Sequence, residues 1–299
     1  MKKISLLLSL CFVMVITAWA QEAPADTSWK RGGIVTVTFN NTALSDNWQG
    51  GGIDTRAISS LVNLYAHYNK GKQSWNNNLD LAFGVINQGE ISDSRTRKGD
   101  DRIDFTSKYG YNFNEKVALA ALLNFRTQFA PGFEFDADGV PVGEAISDIF
   151  NPAYLNFGAG IDFKPNENLS VYYSPINSKL TIVTDPSLRT RYMPEEFADQ
   201  SVRYELGSYL NIRYQKAIWE NLTYQTKADF FLNYLQDPLA VDVNWENLLS
   251  LQATEWLGVT FFTHLIYDKD IVADGAEVGI QFKHVLGVGL TTSFGDKLN

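Results

Sequence analysis

The 299-residue chain has one cysteine, three histidines, no excess of basic residues and no long hydrophobic run after its first twenty residues. Each shortage excludes something. The one cysteine, Cys11, lies in an N-terminal stretch that reads as a signal peptide. The mature chain then has no disulfide, no thiolate nucleophile and no cysteine-based metal site. Asp and Glu number 34 against 25 Lys and Arg, a formal charge of -9. A nucleic-acid binder needs the opposite, a basic footprint. No later segment is long and apolar enough to be a membrane helix. A helical period fits almost nowhere.

The N-terminus carries the parts of an export signal. Met1-Lys2-Lys3 is basic, residues 4–17 are apolar, and Ala18-Trp19-Ala20 fits the small-x-small cleavage pattern. Cleavage after Ala20 also removes Lys2 and Lys3, which moves the formal charge to -11. The expected organisation is a signal peptide at 1–20, a periplasmic lead at 21–32, a barrel at 33–294 and a periplasmic tail at 295–299.

What the chain does have is aromatic residues: 14 Tyr, 19 Phe and 7 Trp, 13% of the total. These favour strands and membrane interfaces. Period-2 alternation predicts twelve strands, at 33–40, 56–68, 75–85, 102–113, 117–129, 154–163, 169–183, 202–218, 222–235, 241–253, 257–267 and 278–294. In the segment 102–113, for example, Ile103, Phe105, Tyr109, Tyr111 and Phe113 oppose Asp104, Thr106, Lys108 and Asn112. Many of these segments run twelve residues or more. A soluble strand averages about 5–6, whereas a membrane-crossing strand needs about 9–11.

Connections alternate in length. Short ones fall at 69–74, 114–116, 164–168, 217–221 and 254–256. Long ones fall at 41–55, 87–101, 130–153, 184–201 and 268–277, with 237–240 short where a long one is due. Tight periplasmic turns and long outer loops are the pattern of outer-membrane barrels. Eight of nine prolines fall outside the strands. The ninth, Pro175, sits where the apolar register switches from odd (Leu169, Val171, Tyr173) to even (Leu180, Ile182), so a bulge is expected there. Trp75, Tyr111, Phe113, Trp219, Tyr224 and Trp256 are expected in a belt at the turn end. Phe129, Phe230, Tyr234 and Tyr267 are expected in one at the loop end.

Three segments carry a family likeness: Trp48-Gln49-Gly50-Gly51-Gly52, the run Tyr173-Ser174-Pro175-Ile176-Asn177-Ser178-Lys179-Leu180-Thr181, and the closing Gly287-Val288-Gly289-Leu290-Thr291-Thr292-Ser293-Phe294. On these the chain resembles a family of Gram-negative outer-membrane barrels typical of Bacteroidota, known as domain of unknown function 3078. The resemblance implies an antiparallel up-and-down transmembrane β-barrel of about twelve strands. It brings no known chemistry.

No catalytic residues and no cofactor are expected. The lumen-lining polar residues read from strand parity are Asp80, Lys108, Asn124, Arg126, Glu205, Arg213, Lys227, Asp229 and Glu246. They carry both signs, which disfavours strong ion selectivity, and could pair across the lumen or line a water path. Asp80 with Lys108, and Asp229 with Glu246, lie on consecutive strands. The loop 130–153 contains Glu134, Asp136, Asp138, Glu144 and Asp148 without Lys or Arg, a possible cation-binding loop facing lipopolysaccharide. His264 points inward with Asp268 on the same parity. His284 falls on the lipid-facing parity, which a misjudged register would explain.

The expected role is passive: a narrow porin-like pore, a small-ligand-binding barrel or a structural surface protein. The alternatives are a membrane-embedded lipid-modifying hydrolase using His264, or a soluble periplasmic β-protein. Expected partners are outer-membrane lipids, lipopolysaccharide and the barrel-assembly machinery, with no nucleic acid.

Overall fold

A computed structural model describes residues 28–42, 55–88, 95–136, 140–236, 240–268 and 279–296. The signal peptide, the Trp48–Gly52 motif and Asp138 lie outside the described residues. Twelve strands form one closed antiparallel barrel: β1 (Trp29–Thr42), β2 (Thr55–Lys70), β3 (Gln73–Gln88), β4 (Arg95–Asn112), β5 (Val117–Thr127), β8 (Ala153–Asn166), β9 (Leu169–Ile182), β10 (Val202–Trp219), β11 (Leu222–Asn233), β12 (Val241–Gln252), β13 (Leu257–Tyr267) and β14 (Gln281–Gly295). Each pairs with the next along the barrel, and β1 closes on β14 from Gly32↔Gly295 to Thr38↔Gly289. This is the expected up-and-down barrel, with the expected number of strands.

Two features exceed the sequence reading. β4 starts at Arg95 and β1 at Trp29, well before the alternating segments that announced them. Backbone pairing continues past the apolar belt, where polarity no longer alternates, so the pattern marks the membrane portion of a strand and not its end. The early start of β1 also takes in residues assigned to the lead. There the Trp29 ring sits 5.2 Å from that of Tyr68 and 5.9 Å from that of Trp75. The second feature is a separate hairpin inside the loop 130–153, formed by β6 (Gly132–Phe135) and β7 (Pro141–Ser147).

The polarity of the barrel is inverted relative to a soluble protein. Ile58, Phe83, Leu119, Phe157, Ile176, Phe261, Leu286 and Leu290 are exposed on its outside, while Asp104, Asn124, Asp162, Arg203, Glu205 and Asn211 are buried inside. Only a hydrocarbon surround makes that arrangement favourable, since a closed barrel satisfies its backbone internally and turns its apolar face to lipid. The chain is a transmembrane barrel, and the soluble reading is set aside. Trp75, Tyr111, Phe113, Trp219 and Trp256 lie exposed at the turn end, with Phe129 and Tyr234 at the loop end, as two belts require. His284 keeps the outward register (Thr263↔His284) and packs between the rings of Phe261 and Phe282. No register shift is needed; the histidine does face outward.

The bulge at Pro175 is real. Between Tyr209↔Ser174 and Gly207↔Asn177, β9 has one residue more than β10, and β8 shows the same mismatch between Ile161↔Tyr173 and Ala159↔Ile176. Before it Tyr172 and Ser174 are buried; after it Asn177, Lys179 and Thr181 are. The backbone is crowded here. A Cβ on Gly160 would lie 2.0 Å from the Tyr173 carbonyl oxygen, so glycine is what admits the bulged strand.

Candidate functional site in the lumen

The inward face of β4 carries Arg102, Asp104, Thr106 and Lys108, because residues of one parity share a face. Asp104 is 1% exposed, near the middle of its strand. It accepts hydrogen bonds from Asn124 Nδ2 (2.5 Å), Arg126 Nε (3.0 Å) and Lys227 Nζ (2.7 Å). Asn124 and Arg126 come from adjacent β5. Lys227 comes from β11, on the far side of the barrel. Arg126 also reaches across, to Asp229 Oδ2 at 2.5 Å. Asp229 in turn accepts from Tyr209 (2.6 Å) and Asn211 (2.5 Å). A third bridge joins Arg102 of β4 to Glu246 of β12 at 3.1 Å, and a fourth joins Arg213 of β10 to Thr106 of β4 at 3.0 Å. Two strands on one wall, β4 and β5, and three opposite, β10, β11 and β12, are thus tied together through the centre.

These bonds cross the lumen at mid-depth. A charge taken out of water is costly unless paired and hydrogen-bonded, and Asp104, Arg126, Lys227 and Asp229 meet that condition. Beside them Ala120, Leu122, Tyr172, Tyr209 and Phe231, from β5, β9, β10 and β11, form a small apolar cluster. Toward the turn end Lys108 meets Asp162 at 2.8 Å and Ser170 at 2.8 Å.

Toward the loop end the lumen opens into a cavity of about 420 Å³. Its floor includes Asn124, Arg126, Tyr209, Asp229 and Glu246; its sides include Lys179, Phe231, Asp242, Phe262, His264 and Lys283. Lys179 holds Asp242 at 2.7 Å and stands 3.5 Å from Glu205 and 3.6 Å from Asp268. Two loop elements meet over the rim. The short helical segment Arg189–Tyr192 is fastened to the β6–β7 hairpin through Arg191 to Glu134 (3.0 Å) and Tyr192 to the Ile146 carbonyl (2.7 Å). Burial raises the Tyr192 phenol above its ordinary value, so it remains a donor.

All nine lumen residues expected from parity face inward, and Arg126, Lys227, Asp229 and Glu246 pair across the lumen. Asp80 lies opposite Asp104 and bonds Asn63 at 2.8 Å. Glu246 lies opposite Lys227, and Asp229 opposite Asn244. Lys108 sits further toward the turn end, where its carboxylate partner is Asp162. Glu205 lies 3.4 Å from Arg203 and accepts from Asn233 at 3.0 Å. Parity also places Arg102 and Tyr209 inward, and Lys179 once the bulge is carried through.

The four described acidic residues of the loop do not converge. Glu134 serves Arg191, Asp136 accepts from the Val140 N–H, Asp148 accepts from the Ile149 N–H, and Glu144 is exposed. Among the described residues no three metal-ligating side chains gather anywhere. His264 bonds Asn244 Oδ1 at 2.7 Å and lies 3.8 Å from Glu246. Among the described residues it bonds neither Asp268 nor a serine hydroxyl.

No curated protein matches the chain. Solved structures do. An outer membrane channel from Pseudomonas putida F1 is 14% identical, with 92% of this chain and 100% of that one covered at a TM-score of 0.37. The translocator domain of the autotransporter NalP from Neisseria meningitidis is 8% identical, covering 96% and 95% at 0.39. The P. putida toluene transporter TodX is 11% identical, covering 91% and 91% at 0.26. The fold of this chain is read from its own strand pairing. Residues 39–133 match the family described as "Protein of unknown function (DUF3078)", the one its sequence resembles.

Proposed function

We propose that this chain is an exported outer-membrane barrel that holds a small ligand in its loop-side cavity and does not act as an open pore or an enzyme. The observation that carries this reading is the set of cross-lumen bonds Lys227–Asp104, Arg126–Asp229 and Arg102–Glu246 beneath that cavity. A twelve-stranded barrel is wide enough to pass solutes or to be filled; the side chains that bond across this one support filling. Liposomes containing the refolded protein test the reading. They are expected to take up an amino acid or a monosaccharide no faster than empty liposomes. Rapid swelling in either solute would support a pore instead. Phospholipid incubated with the same protein is expected to remain intact, and cleavage abolished by His264→Ala would restore the hydrolase reading.

A further inference from the structure

The cavity's chemistry selects a class of ligand, and the selection rests on the ligand-holding reading above. At roughly 30 Å³ per water, about 420 Å³ accommodates a small organic molecule and not a polymer. The cavity wall is mainly apolar, with Phe231 on β11 and Phe262 on β13. Among the described residues it carries six carboxylates against four cationic side chains.

Those four cations are already engaged: Arg126 by Asp229 (2.5 Å), Arg102 by Glu246 (3.1 Å), Lys283 by Asp100 (2.7 Å) and Lys179 by Asp242 (2.7 Å). With six carboxylates to four cations the wall keeps an excess of negative charge, and an ionised carboxylate bonded to one cation still has acceptor positions for another, about four in all. Asp242 is the most open of the six, with its side chain 20% exposed; Asp100 is 17%, Glu246 11%, Asp268 10%, Asp229 8% and Asp101 2%.

The rings have the matching preference. Lys179 Nζ stands 5.1 Å from the Phe231 centroid and the Arg102 guanidinium 5.0 Å from that of Phe262. Aromatic faces stabilise positive charge at this range. Among the described residues no three carboxylates are placed to hold a metal ion, and the three that converge, Asp242, Glu205 and Asp268, converge on the Lys179 ammonium, which suits an ammonium on an organic body better than a chelated metal ion. We infer that the cavity binds a small organic cation, an aryl- or alkylammonium, with its charge at Asp242 and its apolar body against Phe231 and Phe262.

Calorimetric titration of the refolded, full-length mature barrel in detergent tests this. The probes are phenethylammonium, phenylacetate and 2-phenylethanol, which share a body and differ in charge. The ammonium is expected to bind saturably, at least tenfold tighter than either match. Asp242→Asn is expected to weaken it about tenfold, and Glu144→Gln, the same charge change on the exposed hairpin, to leave it unchanged. Phe262→Leu is a second test of the site, expected to weaken the ammonium severalfold; it decides the matter if Asp242→Asn fails to show the heat-modifiable migration of a folded barrel. Equal binding of all three probes, or binding untouched by both cavity variants, overturns the ligand class while leaving the ligand-holding reading in place. Binding of none overturns both.

Discussion

At the scale of the residue, Asp104 decides the most. It is buried to 1% exposure and holds two cations, one from each side of the lumen. Asp104→Asn would leave Arg126 and Lys227 without a shared counter-charge, and breaking a buried pair by removing one partner costs about 3–5 kcal/mol. A loss of that order is expected in the urea unfolding of the detergent-folded barrel. Asp80→Asn makes the contrast. Its carboxylate accepts one hydrogen bond, from Asn63, which an amide oxygen also accepts, so a loss below about 1 kcal/mol is expected. That both aspartates point inward was readable from parity. Which cation each would meet was not, because pairing across a barrel depends on the stagger of all the strands between, and one bulge alters it.

At the scale of the element, β9 and the loop fastening matter most. Deleting Pro175 would remove the bulge and move Lys179 and Thr181 from the lumen to the lipid face, since a one-residue slip flips every side chain beyond it. The deletion is expected to abolish heat-modifiable migration. Gly160→Val, beside the bulge, places a branched side chain against the Tyr173 carbonyl and is expected to lower the yield of folded protein.

Over the rim, Tyr192→Phe removes the bond to Ile146 and is expected to hasten proteolysis of the β6–β7 hairpin. The raised phenol gives a sign for pH. Its contribution is fully present below the ordinary tyrosine value of 10 and is lost as pH rises past it. Protection of the hairpin should therefore hold to pH 10 and fall above. The bulge was visible in the sequence as a coincidence of proline with a parity switch. The hairpin was not, because β6 and β7 are short and turn no continuous apolar face to lipid: Glu134 and Glu144 interrupt them.

At the scale of the whole molecule, length and alternation carried most of the fold. Twelve segments, their order and their outward faces all follow from a solvent that is apolar outside the barrel. The bonds across the lumen did not follow, because the same mixed charges that make them would line a water path if the walls stood further apart. Part of the inward face is apolar besides: Ala120, Leu122, Tyr172 and Phe231 face inward.

The most direct measurement is single-channel conductance in planar bilayers, comparing wild type with Lys227→Glu. The substitution sets a carboxylate against Asp104 in place of the ammonium 2.7 Å away, and like charges at that range drive the two walls apart. A sealed lumen predicts no steady ohmic current from wild type and discrete openings from Lys227→Glu. Steady openings from wild type, unchanged by Lys227→Glu, would contradict it.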